Sequence, residues 1–250
     1  MKRLQAIPLR VKGEIQPGDS VIDLLLSAVR RQRIRFRAGD ILVVKHKIIS
    51  KAEGCIVPLE QVQPSARALE WARVAKHDAR VAELALAQSQ RVVRMQNRVL
   101  ITETQHGFVC ANSGVDLSNV DGGASAVLLP KDPDASARRL HDALRRRLRL
   151  HIPVIIADSF GRPWREGLTE VAIGVAGLEP LRDYRGMRDP HGYELHATCE
   201  AVADELACVA GVVCGKLEGT PACLIRGYPY QRGNGSVKEL IRPAERDLFR

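Results

Sequence analysis

The sequence predicts an α+β fold of mixed sheets with packed helices, and three observations carry that prediction. Strand-like and helix-like segments alternate without a regular βαβ repeat, which disfavours a doubly wound sheet. No segment fits a phosphate-binding P-loop or a dinucleotide glycine fingerprint, so neither a P-loop nor a Rossmann architecture is expected. The chain has 250 residues, 45% hydrophobic and 27% charged, which is ordinary for a globular protein with a real core.

The elements follow from local pattern. Residues 7–15 alternate apolar and polar positions and read as an opening strand and loop. Pro17-Gly18-Asp19-Ser20 is a turn that also caps a helix over 21–31. After the Ala38-Gly39-Asp40 turn, residues 41–44 form a buried strand, and 48–51 continue after it. Pro64-Ser65 starts a helix with Ala66, Leu69, Ala72 and Val74 on its apolar face, and a second helix covers 78–89. Val92-Val93, residues 99–101 and residues 107–111 read as strands. Asp132-Pro133-Asp134 caps a basic amphipathic helix over 136–150. Residues 152–157 are the clearest buried strand, and the apolar run stops at Asp158. Residues 171–176 are a small-residue apolar segment, 200–214 a core helix and 222–227 a closing strand. The last twenty residues are rich in glycine and charge and read as a tail with one short helix. There is no internal repeat.

Bulk composition narrows the function. No apolar run approaches the ~20 residues of a membrane span, and residues 1–10 lack a signal peptide's apolar stretch, so a cytoplasmic protein is expected. The six cysteines form no CxxC pair and have no histidine at zinc spacing; they read as buried thiols in a reducing compartment. The net charge of +9 favours anionic partners. A basic RNA-binding protein is one alternative, supported by the arginines of 138–149. Aromatic content of 4% leaves few stacking platforms, so nucleic acid is not the expected partner.

Three segments place polar groups after apolar ones. In Ile48-Ile49-Ser50-Lys51-Ala52-Glu53-Gly54, a lysine after a strand can reach a phosphate; the other reading is a turn with a surface lysine. The stretch from Asn112 to Gly123 is dense in small polar residues. Asp116 and Asn119 there offer oxygen ligands to a hydrated Mg²⁺ or Mn²⁺ and its phosphates, or simply form an Asx-rich turn. In Asp158-Ser159-Phe160-Gly161-Arg162-Pro163-Trp164-Arg165, carboxylate and hydroxyl suit a metal, and Arg162 and Arg165 suit phosphate or carboxylate; the other reading is a capped turn with Trp164 in the core. Together they suggest a hard-metal phosphate site rather than nucleophilic catalysis, for no GxSxG elbow is present.

At these segments the chain resembles the coenzyme F420-0:L-glutamate ligase (F420 γ-glutamyl ligase) family. The similar residues are Ser50 to Gly54, Asn112 to Val120, Leu128-Leu129-Pro130-Lys131-Asp132-Pro133-Asp134, Asp158 to Arg165, Ala172-Ile173-Gly174, Asp189 to Leu195 and Ala203-Asp204-Glu205. The resemblance implies the α+β fold of that family over 1–230, as one catalytic region or two intertwined subdomains, with 231–250 as a charged tail. It implies an intertwined homodimer and a GTP-dependent ligase that adds L-glutamate to F420-0, then a further γ-linked glutamate, through an acyl phosphate. A relative acting on a different anionic carboxylate is the other enzymatic alternative. The implied metals are Mg²⁺ or Mn²⁺, often with K⁺.

By resemblance, Asp116, Asp158 and Ser159 hold metal, with Asp116, Asp158 and Lys51 as catalytic residues. GTP contacts fall to Lys51, Asn119, the loop Arg10, Val11, Lys12 and Gly13, and Gly215, Lys216 and Gly219. His46 and Lys47 join them, where archaeal members carry a small hydroxyl pair. Those members also have an acidic metal ligand near Lys216. Either Glu218 takes that place here or an ammonium group replaces one metal.

Overall fold

The computed structural model describes residues 3–96 and 98–248; residues 1–2 of the opening segment and 249–250 of the tail lie outside them. The chain opens with β1 (Gln5–Leu9), α1 (Val21–Arg31), β2 (Ile41–Lys45) and α2 (His46–Ala52). A second group follows: β3 (Ile56–Pro58), α3 (Ala66–Ala75), α4 (Ala79–Ala87), β4 (Ser89–Gln96), β5 (Val99–Thr104), β6 (Val109–Ala111) and β7 (Ser125–Val127). The chain then returns through α5 (Pro133–Leu148), β8 (Val154–Arg162), β9 (Arg165–Ala176), the short β10 (Arg182–Asp183) and β11 (Cys199–Glu200), α6 (Val202–Cys214) and β12 (Ala222–Arg226).

The main sheet runs β1-β12-β2-β8-β9. Its neighbours are antiparallel except β2 and β8, which are parallel with Val44 level with Ile156 and Lys45 with Ala157. Leu42, Val44, Val154, Ile155 and Ile156 are fully buried, each worth roughly 1.5–3 kcal/mol of hydrophobic stabilisation. Helix α6 packs along β9, β1 and β12, while α5 packs on β8 and β9 and touches α1. A parallel pair needs a long crossover. Here the crossover from β2 to β8 contains the whole second group, which has its own core of Leu59, Leu84, Ala85, Leu100, Val115 and Ala126. The junction between the two groups therefore lies where β2 and β8 end. Mixed sheets with packed helices are as expected, and no helix among the described residues is long and apolar enough to cross a membrane.

Several local expectations need correction. Residues 48–51 do not extend a strand; they lie in α2. His46, Ile48, Ile49, Ser50 and Lys51 are all buried, so the segment shows no amphipathic period, and its β-branched isoleucines mimic a strand. Strand β8 does not stop at Asp158 but runs on to Arg162, because β9 pairs with it beyond the apolar core. In α3 the buried positions are Ala68, Ala72 and Ala75, one face against α4, whereas Leu69 and Val74 are exposed. Four of the six free cysteines are buried, but Cys208 is half-buried and Cys199 exposed.

One buried carboxylate helps to anchor the glycine-rich tail. Val237 enters the main core, and Asp134 in the first turn of α5 receives the Val237 N–H at 3.2 Å and the Ser236 hydroxyl at 2.5 Å. The same carboxylate takes the Val175 N–H of β9 at 2.8 Å. It is buried and acts as a clasp between helix, sheet and tail. Asp134→Ala orphans these donors and is expected to lower stability by about 3 kcal/mol, read by equilibrium urea denaturation. A loss below roughly 1 kcal/mol would show that the clasp carries little.

Candidate functional site

Three consecutive residues at the end of β2 send basic side chains in three directions. The ammonium of Lys45 donates to the Gly215 carbonyl beyond α6. Burial pushes its pKa down; Glu170's charge opposes that and Lys216's adds to it. His46 is 2% exposed. Its Nε2 lies 3.3 Å from the Asp158 carboxylate and its Nδ1 3.2 Å from Ser50 Oγ. Lys47 meets Asp116 at 2.6 Å and also reaches the carbonyl of Ser118 at 3.2 Å. At 3.6 residues per turn, neighbouring helix residues point about 100° apart. One turn of α2 is thus wedged between two aspartates, one from each group of elements.

Lys51 lies four residues after Lys47 and so on the same side of α2. It is buried, pairs with Glu14 and donates to the Asn119 carbonyl at 2.6 Å. Asp116 is fixed by its backbone, which exchanges hydrogen bonds with Val127 of β7 at 3.0 and 2.8 Å. Its carboxylate also accepts the Ser118 N–H at 2.6 Å, an Asx turn. Burial pushes the Asp116 carboxyl up, but the hydrogen bonds from Lys47 and Ser118 outweigh it, and the pKa is lowered from 3.8. The loop that follows carries Asn119 and Asp121 in left-handed conformation and walls an open cleft of about 730 Å³. Glu14, Asp116 and Asp121 all line it, the first paired with Lys51 and the second with Lys47.

Asp158 and Ser159 serve separate clusters. Successive strand residues face opposite sides. Asp158 turns to His46, while the Ser159 hydroxyl turns to Glu170 of β9, its cross-strand partner, at 3.3 Å. Just before this point Ile173 is an extra residue in β9, a bulge that sets which face each later side chain takes. Lys216 joins the second cluster, meeting Glu170 at 2.9 Å and also donating to Ser159 Oγ. Near Asp158, burial first and the aspartate's charge second push the Cys110 thiol up to about 12, so it is inert.

The other expected residues divide in two. Arg10, Val11, Lys12 and Gly13 form the loop after β1 that leads to Glu14, the partner of Lys51. Gly215 and Gly219 both have positive φ, at 56° and 64°, and frame the loop that carries Lys216. Glu218, by contrast, folds back on its own loop, accepting the Leu217 N–H at 2.9 Å beside Gly215. Arg162 and Arg165 do not cluster with Asp158. Four residues at about 3.3 Å each put Arg162 roughly 13 Å up the strand, opposite Arg165. Trp164, at their turn, is 80% exposed rather than in the core.

Sequence reading missed Glu14 and Glu170. Equal pairing back from the Pro163-Trp164 turn sets Ser159 against Leu168. The irregularity between Gly161 and Arg162 moves the partner to Glu170, and no local signal announces it.

Residues 10–227 match the model of the F420-0:gamma-glutamyl ligase family. The chain belongs to that family. It is 46% identical over 236 residues, 93% of each chain, to the coenzyme F420:L-glutamate ligase of Methanothermobacter thermautotrophicus. It is 44% identical to the protein of that name from Methanocaldococcus jannaschii, over 85% of each chain. A third, from Methanopyrus kandleri, is 40% identical over 99% of this chain and 97% of its own. The F420-0:gamma-glutamyl ligase match thus spans both aspartates, α2 and the Gly215–Gly219 loop.

The Lys47–Asp116 contact makes a pH prediction. A carboxyl whose pKa is lowered on folding stabilises the fold above its unfolded value, and that stability is lost as pH falls through the folded value. For Asp116 this window lies below 3.8. In Lys47→Met, the Asp116 carboxyl is expected to titrate at higher pH than in the parent protein, followed by ¹³C NMR of the side chain. The acid-side loss of stability should shrink with it. An unchanged titration would show that Lys47 does not hold the carboxylate.

Proposed function

We propose that this chain is a GTP-dependent coenzyme F420-0:L-glutamate ligase that works in the cytoplasm as a homodimer. The observation that carries this reading is the seating of Asp116 and Asp158, from distant segments, against the adjacent residues Lys47 and His46 of one helix. Membership of the F420-0:gamma-glutamyl ligase family supports the acceptor and the amino acid.

The donor set fits a hard divalent cation, Mg²⁺ or Mn²⁺, that arrives with the nucleotide. No cluster of three His, Cys, Asp or Glu side chains suited to a metal is found among the described residues. Magnesium, however, is commonly held by one or two carboxylates with phosphates and water completing its shell. Of the three carboxylates around the cleft, Lys47 and Lys51 pair two, and a cation bound with the triphosphate offsets the repulsion from Asp121. Asp116 and Asp158 would hold such a cation, Ser159 in the separate cluster with Glu170 a second one, and K⁺ is a further candidate. When bound, such a cation neutralises charge on the transferred phosphoryl group.

The protein's own groups then have distinct tasks. Lys47 holds the Asp116 carboxylate, and Lys51 pairs with Glu14 and fixes the Asn119 loop through its carbonyl. The loops Arg10 to Gly13 and Gly215 to Gly219 offer backbone N–H groups to the nucleotide. The γ-phosphoryl group of GTP passes to the F420-0 carboxylate, giving an acyl phosphate and GDP. The glutamate amine attacks the acyl carbon, the amide C–N bond forms, the C–O bond to phosphate breaks, and the amine proton is released.

Mass spectrometry tests this directly. Incubation with GTP, Mn²⁺, L-glutamate and F420-0 is expected to give a product heavier by one or more glutamyl units. F420-0 labelled with ¹⁸O in its carboxylate is expected to yield labelled phosphate. Asp116→Asn and Asp158→Asn should each slow turnover by about 100-fold or more. GTP turnover on another carboxylic acid alone would move the acceptor, and no nucleotide turnover would overturn the reading.

A further inference from the structure

We infer that Glu170 is a positioning residue of the nucleotide site, acting through Lys216; this deepens the ligase reading above and rests on it for the identity of the nucleotide. Glu170 is 7% exposed, yet its carboxylate sits where three elements meet. It takes the Lys216 ammonium at 2.9 Å from the loop after α6 and the Ser159 hydroxyl at 3.3 Å from β8. Lys216 also donates to Ser159 Oγ, so the three groups close a triangle.

The fold makes room for this carboxylate. A Cβ on Gly211 would lie 2.5 Å from Glu170 Cγ. Helix α6 therefore carries a glycine in its interior despite the poor helix propensity of that residue. Within the loop beyond α6, the Thr220 hydroxyl donates to the Cys214 carbonyl and the Leu217 N–H to Glu218. Gly215 and Gly219 give it conformational freedom, and Leu217 is almost fully exposed. Two lysines tie it to the sheet: Lys45 through the Gly215 carbonyl, and Lys216 through Glu170 and Ser159. Glu170 thus fixes where the Lys216 charge sits relative to Ser159.

The pair has an asymmetric consequence. Replacing Lys216 removes the ion-pair partner of a buried carboxylate, which is costly and leaves more negative charge to repel an incoming triphosphate. Replacing Glu170 as well removes that repulsion. Glu170→Gln keeps shape and is expected to raise KM for GTP several-fold. Lys216→Gln should raise it by about tenfold or more, with a smaller change in kcat. The double variant Glu170→Gln/Lys216→Gln should have a lower KM than Lys216→Gln alone and should melt at a higher temperature.

Steady-state kinetics on the intact protein with varied GTP, with melting curves of all four proteins, test this. Losses that multiply in the double variant would overturn the inference, as would a double variant that melts no higher than Lys216→Gln. A parent protein without GTP turnover would instead defeat the ligase reading, and the melting order would still judge the Glu170–Lys216 coupling.

Discussion

The pairing of Lys47 with Asp116 and of His46 with Asp158 is the constraint on which the arrangement of the whole molecule turns. β2 is buried, and the crossover to its parallel neighbour β8 must leave the main sheet and come back. The chain fills that crossover with a second group of strands and helices that has a separate small core. Two cores joined in this way need a contact that sets their mutual position. Helix α2 supplies it, because it follows β2 directly and reaches Asp158 in one group and Asp116 in the other. Its lack of an exposed apolar–polar alternation is the cost of that position: nearly every side of it is covered.

β8 then divides the polar groups at the sheet's end. Because its side chains alternate, Asp158 belongs with α2 and the second group, while Ser159 belongs with Glu170, Lys216 and α6. The bulge at Ile173 in β9 helps to set Glu170 opposite Ser159, and bulges are common where a strand must re-aim a side chain beside a site. A pair that looks like one ligand set in sequence is in space a partition between two clusters, each with its own lysine.

How much of this was legible follows the same physics. Helices α1, α5 and α6 and strands β2 and β12 were readable because capping residues and apolar runs are local signals. Asp116, Asp158, Lys51 and Asn119 stood out through resemblance, and the fold gathers them around α2. What failed depended on distant partners. Ile48-Ile49 read as strand because burial on all sides erases periodicity, and Leu69 and Val74 lost the core to alanines that let α3 approach α4 closely. Glu170 was invisible because its role depends on a register that an irregular hairpin shifts by two residues.

Net charge also misleads when it is carried from chain to site. The molecule is +9 overall, yet its open cleft is lined by Glu14, Asp116 and Asp121. The excess of arginine sits elsewhere, on exposed faces such as α5, where Arg147 pairs with Asp23 of α1. Long-range attraction and local repulsion therefore coexist. The global field draws anions toward the protein, while the cleft wall is carboxylate-rich and its two nearest lysines are already paired. At the rim, Lys47 and Lys51 each spend their charge on a carboxylate or carbonyl already present. A site built this way favours an anion bound together with its counter-cation over a bare anion of the same shape, a selectivity that follows from charge placement alone.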